Sequence, residues 1–406
     1  MTLPSAEEVR KGHGRLTCQE ALSLTSLPDK SVEGRSIKRY MSRRRAWLTG
    51  HEFAILAKAL EVSNFKTSAY GGHVYSQASM AASLSLKVAQ GAASQNGGEK
   101  KFGIHTIHGF FSEAGLSDRP YIYEVTDLAS NPSFPNLLVT ARQPASPSTN
   151  PEGDHYPIAD ADLPPGPVCF SAMVSFRPSG SSQFDAQEPS AQERFADILS
   201  SRRPTEWDPA PISDIEAALD GIPGARQAIG LYPILDMRKV DMRAYNAGRP
   251  FHERRELILY RLLAPLPADT SDADMEGSGK DGEGRCAMDG PDAHICAHAY
   301  GADRNGLLMI GKHAGFGHDL ARAASLSYSF VVHVNAEEAV MTYSGGHDQW
   351  WVQEAGFPRV QAGRGIIHSK IWSPQGIHVA SMYQDGIIRR QSRPGDKEKE
   401  KEKGRL

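Results

Sequence analysis

The stretch that decides the fold is AYGGHVYSQASMAASLS, residues 69–85. After Ala69-Tyr70-Gly71-Gly72, the residues Val74, Ala78, Ala81, Ala82 and Ser85 recur at helical spacing. They make a stripe of small side chains, which suits a helix packed closely on all sides. Runs with strand character follow at Ile104–Phe111, Tyr121–Leu128, Leu137–Ala141 and Val168–Phe176. In the last of these, Val168, Phe170, Ala172, Val174 and Phe176 alternate onto one face, the mark of a half-buried strand.

The same order returns downstream. A second helix is expected from about Asp292 to Leu308, with Pro291 near its start, where a missing N–H costs least. Strand-like runs then cover Ala324–Val334, Trp350–Gln353, Gly365–Ser373, His378–Tyr383 and Gly386–Arg389. Helix followed by antiparallel strands, twice over, predicts an α+β fold in which each sheet wraps one helix.

Between and around the two blocks the composition changes. Residues 1–45 are polar and end in Arg43-Arg44-Arg45, so they read as a mobile leader. The first block spans 46–176, with a Pro-, Ser-, Asn- and Asp-rich loop insertion at 143–166. Residues 177–229 read as a linker, and the second block spans 230–390. Its stretch 267–292 carries Asp, Gly, Ser and Glu with almost nothing to bury, so a disordered surface insertion is expected there. Residues 391–406 read as a solvated charged tail.

Whole-chain arithmetic sets outer bounds. With 406 residues, 40% apolar and 23% charged, the chain has material for a large core and for two or three domains. Against 48 acidic residues stand 45 basic ones, a formal charge of -3, which argues against a nucleic-acid-binding surface. Cys18, Cys169, Cys286 and Cys296 are too few for a disulfide framework, and a reducing compartment fits better. The N-terminal residues lack the apolar core of a secretory signal. The uncharged stretch Thr67–Leu86 is too rich in Ser, Gly, Gln and His to span a membrane. A soluble protein is expected.

Several constellations could carry chemistry. Gly71-Gly72 at a helix start leaves backbone N–H groups at the positive helix end, able to hold a carbonyl oxygen, carboxylate or phosphate. The plainer alternative is a tight turn that only glycine permits. His105 and His108 fall on opposite faces of a regular strand, so one of them could line a pocket, but not both. His294 and His298 share a helix face, but Cys296 points away and no adjacent Glu completes a zinc-peptidase pair, so no metal site is expected. There is no G-x-S-x-G elbow, and Gly279-Lys280 is followed by Asp281, so no P-loop is present. Three polar residues of the second block stand among apolar neighbours: Asp303, Ser325 and Gln384. Brought together, they could hold one water, with the carboxylate taking its proton and the hydroxyl and amide orienting it.

At these residues the chain resembles the acyl-CoA thioesterase II family of double hot-dog proteins, as a fungal-like member with insertions. Tyr70-Gly71-Gly72-His73-Val74 with Gln77-Ala78 resembles the family's helix start. His105-Thr106-Ile107-His108-Gly109-Phe110-Phe111, with Gly115 and Pro120–Val125, is similar to its first strand run. Ala299-Tyr300 with Asp303 and Asn305 resembles its second helix, and Gly363-Arg364-Gly365 through Gln384-Asp385-Gly386 resembles its closing strands. Leu326-Ser327-Tyr328 after Ser325, and Glu113-Ala114, depart from the family pattern.

The resemblance implies two fused hot-dog repeats and hydrolysis of fatty acyl-CoA. Asp303, Ser325 and Gln384 would be the catalytic residues, and Gly71, Gly72, His73 and His108 would contact the substrate. It implies no cofactor and no metal, and an assembly of at least two copies. Two other functions compete with it. An enoyl-CoA hydratase of the same fold resembles Gly-Asp-x-Asn-Pro ahead of a His, which does not occur here. A non-catalytic acyl-CoA-binding protein would accommodate the departures around Ser325. Gly404-Arg405-Leu406 is an off-pattern relative of a peroxisomal address, so a cytoplasmic or peroxisomal location is expected.

Overall fold

The alternating runs pair into one sheet. The computed structural model describes residues 15–48, 68–93, 101–129, 133–151, 153–210, 232–266, 284–286, 288–304, 306–315, 320–342 and 349–390. The amino-terminal half supplies β1 (Leu24–Val32), β2 (Arg35–Ser42), β3 (Phe102–Phe111), β4 (Ile122–Ala129), β5 (Asn136–Pro144) and β6 (Pro165–Pro178). Then come β7 (Asp208–Pro209), β8 (Leu235–Lys239), β9 (Arg255–Leu262), β10 (Arg285–Cys286), β11 (Leu320–Val332), β12 (Trp351–Gln361), β13 (Arg364–Trp372) and β14 (His378–Arg390). They form a 14-stranded sheet in the order β10-β1-β2-β4-β5-β6-β3-β11-β14-β13-β12-β9-β8-β7. The order reads the same from both edges once corresponding strands are matched. β3 and β11 meet at the centre, antiparallel, with Ser329 opposite His108.

Two helices lie on the inner face. α1 (Gly71–Ala93) and α2 (Gly290–Ala302) run side by side in opposite directions. Ser76 Oγ donates to the Cys296 carbonyl at 2.9 Å and Tyr70 Oη to the Tyr300 carbonyl at 2.6 Å. Such contacts need short side chains, and Ala78, Ala81, Ala82 and Ser85 are all buried, as their stripe predicts. Most buried apolar residues of both halves join one continuous core around these helices.

The structure corrects several expectations. Residues 18–45 are no leader: Cys18–Leu22 is a helical turn, and β1 and β2 belong to the sheet, with Leu22, Leu24 and Met41 buried. The second helix does not run on to Leu308. It stops at Ala302 and resumes as α3 (Gly306–His313). The closing strand is uninterrupted from His378 to Arg390. The linker 177–229 is ordered as far as 210, with Ala191, Phe195 and Trp207 packed on a second, smaller core; 211–231 lie outside the described residues. Of the 267–292 stretch, 267–283 and 287 lie outside them too, but Arg285–Cys286 pairs with β1 and α2 begins at Gly290. The tail from 391 is also outside. Among the described residues no helix is long and apolar enough to cross a membrane.

Candidate active site

Antiparallel packing of α1 on α2 brings the start of one helix to the end of the other. Asp303 is the C-cap of α2 and faces the amino terminus of α1, where Gly72 N–H donates to its Oδ2 at 2.8 Å. Only glycine fits there. A Cβ on residue 72 would stand 2.5 Å from the Tyr70 ring and 3.0 Å from the Tyr300 carbonyl oxygen.

The opposite side of Asp303 is closed by the sheet. Gln384 points inward from β14, and its Nε2 donates both to Asp303 Oδ1 and to Ser325 Oγ, the latter at 2.8 Å. Ser325 lies on β11 beside a bulge, where the register slips between Ser325 and Ser327. A bulge re-aims the local side chains, which suits a hydroxyl that must reach a neighbouring strand's amide. The three polar residues singled out in the sequence therefore converge. Both amide hydrogens of Gln384 are used, and each of its two acceptors keeps hydrogen-bonding capacity. Ser325 still has its own proton to donate, and Asp303 still has lone pairs to accept one. Gln384 Oε1 is buried without a hydrogen-bond partner.

Burial governs the acid–base character. Asp303 is 6% exposed, and desolvation raises its pKa from 3.8 to about 7, against the opposing pull of Gly72 N–H, Gln384 and the Arg304 guanidinium. The carboxyl sits at the negative end of α2, which disfavours its anion, and at the positive end of α1, which favours it. The result is a carboxyl group poised to exchange a proton near neutral pH. Phe111, Leu307 and Ile367 border the site, within reach of Gly71, Gly386 and Gly306 respectively.

The remaining sequence candidates fare differently. Gly71 adjoins Asp303, its Cβ position being 3.1 Å from Oδ2. Gly72 spends its N–H on the carboxylate rather than on a substrate oxygen. His73 is buried beside Tyr121, and burial lowers its pKa to about 3, so the ring is neutral; its Nε2 has no hydrogen-bond partner. His108 is not at the site. It lies on the outer face of β3, with Nδ1 3.0 Å from Ser329 Oγ, while Ile107 and Gly109 face the helices. A bulge between Ile104 and Thr106 also breaks the regular alternation assumed for His105.

The buried His294, Cys296 and His298 sit in the core. His298 is held by Tyr260 Oη and the Ala339 carbonyl, and His294 Nδ1 accepts from Met341 N–H. Among the described residues no group of three or more His, Cys, Asp or Glu could hold a metal ion. All four cysteines are buried free thiols.

Sequence reasoning passed over an aromatic box next to the site. Trp47, Tyr70, Tyr232 and Tyr300 meet mostly edge to face, with ring centroids 4.9–5.8 Å apart. Arg304 lies in the corner formed by Trp47 and Tyr232, its guanidinium carbon 4.5 Å from each ring. Its only sequence signal was the place of Arg304 next to Asp303.

No family model matches this chain, and no curated protein matches it. Solved structures do. An acyl-CoA thioesterase II, TesB2, from Mycobacterium marinum is 19% identical, covering 92% of this chain and 97% of its own, with a TM-score of 0.52. A tesB protein of Mycobacterium avium subsp. paratuberculosis is 16% identical over 89% of this chain and 95% of its own, with a TM-score of 0.47. A conserved Alicyclobacillus acidocaldarius protein of unknown function with a hot-dog fold is 14% identical, covering 92% and 98%, with a TM-score of 0.47. At 19% identity, the likeness to the Mycobacterium marinum protein establishes a shared fold and nothing finer.

Proposed function

We propose that this chain is two fused hot-dog repeats acting as an acyl-CoA thioesterase, which hydrolyses fatty acyl-CoA or a related thioester to the free acid and CoA. The observation that carries the reading is the Gln384 amide shared between Asp303 and Ser325, beside a carboxyl held at a pKa of about 7. One water fits the chemistry of that arrangement. Ser325 and Gln384 orient it, Asp303 accepts its proton as the oxygen attacks the thioester carbonyl, and the C–S bond then breaks. The proton on Asp303 passes to the departing CoA sulfur, so the products are a carboxylic acid and a thiol. Coenzyme A leaves readily, so no covalent intermediate is needed.

The same reading carries an assembly of at least two copies. Phe110, Met173, Ile366 and Tyr383 are exposed on the outer face of the central strands, and they offer apolar surface for a partner copy. A panel of acyl-CoAs of increasing chain length, followed by thiol release and by product analysis, tests the function. CoA release without a hydrated acyl product supports it. Tight acyl-CoA binding without turnover would leave a binding protein instead, and hydration of enoyl-CoA would leave a hydratase.

A further inference from the structure

Arg304 follows Asp303 directly and is only 2% exposed. A guanidinium is weakly hydrated and planar, so it can be buried between aromatic faces that an ammonium would not tolerate as well. Trp47 and Tyr232 stand nearly perpendicular, 5.3 Å apart, and the guanidinium packs into the corner they make, 4.5 Å from each ring. The Tyr232 hydroxyl reaches the Tyr70 hydroxyl and the Tyr300 carbonyl, both at 3.2 Å. Tyr70 in turn bonds the Tyr300 carbonyl, and its ring bears on Gly72, whose N–H holds Asp303. The cation and the carboxylate are thus tied to one rigid frame.

We propose that Arg304 is the positioning residue of this site, clamped in the aromatic box so that a fixed positive charge stands beside the base and the wall behind Gly72 stays in register with it. This rests on the thioesterase reading only for its kinetic consequence. The other titratable groups facing Asp303 are phenols: Tyr70 and Tyr75 from α1 and its approach, Tyr232 ahead of β8, Tyr300 from α2 and Tyr328 from β11. Burial raises the pKa of every one, so they stay neutral through the working range, and among the described residues Arg304 is the charge acting on Asp303. A fixed cation favours the anion, so its removal must raise the pH at which the base becomes available.

The test is a carboxyl titration in the full chain by difference infrared spectroscopy, with Asp303→Asn as the subtraction reference, alongside pH–rate profiles for acyl-CoA hydrolysis. In Arg304→Met the Asp303 midpoint should move up by about one pH unit, and the acid limb of turnover should move with it, a tenfold loss on that side. Arg304→Lys, which returns the charge without the planar group that fits the aromatic corner, should restore only part of the shift. Trp47→Leu, which keeps the charge but opens one side of the clamp, should move the midpoint in the same direction by less, and it stands in if Arg304→Met does not fold. Midpoints equal to wild type in the folded variants overturn the proposal, as does a rate loss uniform across pH. If the midpoint moves while wild type hydrolyses no acyl-CoA, the thioesterase reading fails and the assignment of Arg304 survives; if the midpoint moves while Asp303→Asn keeps full turnover, Asp303 is not the base and only the kinetic consequence is lost.

Discussion

Replacing Asp303 by Asn asks the buried carboxyl two questions at once, and the answers should have opposite signs. Asn can still accept from Gly72 N–H. Gln384 can turn its amide over, because Oε1 has no other hydrogen-bond partner, and then accept from both the new Asn and the Ser325 hydroxyl. The shape survives and the base does not. Turnover should fall by about 10²–10⁴, the usual contribution of a positioned base, while affinity for acyl-CoA changes little.

Stability should move the other way. An acid whose pKa is raised by folding is held protonated in the folded chain after the unfolded chain has released its proton. Stability therefore declines as pH rises from about 4 to about 7, and the full cost persists above that. The gap between 3.8 and about 7 corresponds to roughly 4 kcal/mol, at about 1.4 kcal/mol per pH unit. Asn carries no such cost. Its melting temperature should match wild type near pH 4 and exceed it by at least about 3 °C at pH 8. Calorimetry across pH, with thiol-release kinetics on the same preparations, measures both. If Asp303 merely braces the helix end, Asn will be nearly neutral for turnover and no more stable at pH 8 than at pH 4, and the mechanism is then wrong.

The other predictions probe the frame around that carboxyl. Ser325→Ala and Gln384→Ala should each lower kcat, and either one combined with Asp303→Asn should cost less than the product of the single losses, since in the proposed mechanism all three act on one water; thiol-release kinetics on the single and double variants read this directly. Gly72→Ala should lower thermal stability by about 1–3 kcal/mol and reduce turnover, because its methyl group meets the Tyr70 ring and the Tyr300 carbonyl; unchanged melting and kinetics would show that the helix start can give way. Deleting residues 1–45 should abolish soluble, cooperatively unfolding protein, since β1 and β2 carry buried Leu24, Tyr40 and Met41; a truncated chain that melts like wild type would refute this.

The two amino-terminal strands carry little of the pattern that marks a buried strand. In β1 only the opening residues and Leu27 are buried, and in β2 only the closing ones. The rest of both strands is polar and solvated, so no long alternation marks them. β6, whose Phe170, Ala172, Val174 and Phe176 are buried in alternation with more exposed residues, was legible from that pattern. The break in the second helix was hidden for a different reason. Apolar residues on both sides, Ala299–Ala302 and Leu307-Leu308, suggest one continuous helix across Asp303-Arg304-Asn305, but Asp303 caps the helix and bonds partners on α1 and β14. Catalytic candidates could be named because polar residues among apolar neighbours stand out. The partner of Asp303 could not, since the role of Gly72 depends on how two helices pack.

The mirrored sheet also explains why the chain should carry one site rather than two. The bulge in β3 between Ile104 and Thr106 matches the bulge in β11 between Ser325 and Ser327, which puts Ile104 in the place of Ser325. Counting on from the bulges, Ile107 pairs with Val174 as Tyr328 pairs with Gln384, so Val174 takes the place of the amide. The helix starts match as well, Gly71-Gly72 with Gly290-Pro291, and Pro291 has no N–H to give. Counting from the helix starts, the position of Asp303 falls at Ser83–Leu84 on the partner helix, where neither side chain is a carboxylate. Hydroxyl, amide, carboxylate and backbone donor are thus all replaced together. Nearby, Asp292 accepts from the Ile104 N–H at 2.8 Å and from the Ser83 hydroxyl, a bracing pattern within the core. One half therefore holds the proposed acid–base residues, and the other contributes Gly72, whose N–H holds Asp303. Neither half alone contains the whole site, which ties the proposed activity to the fused chain.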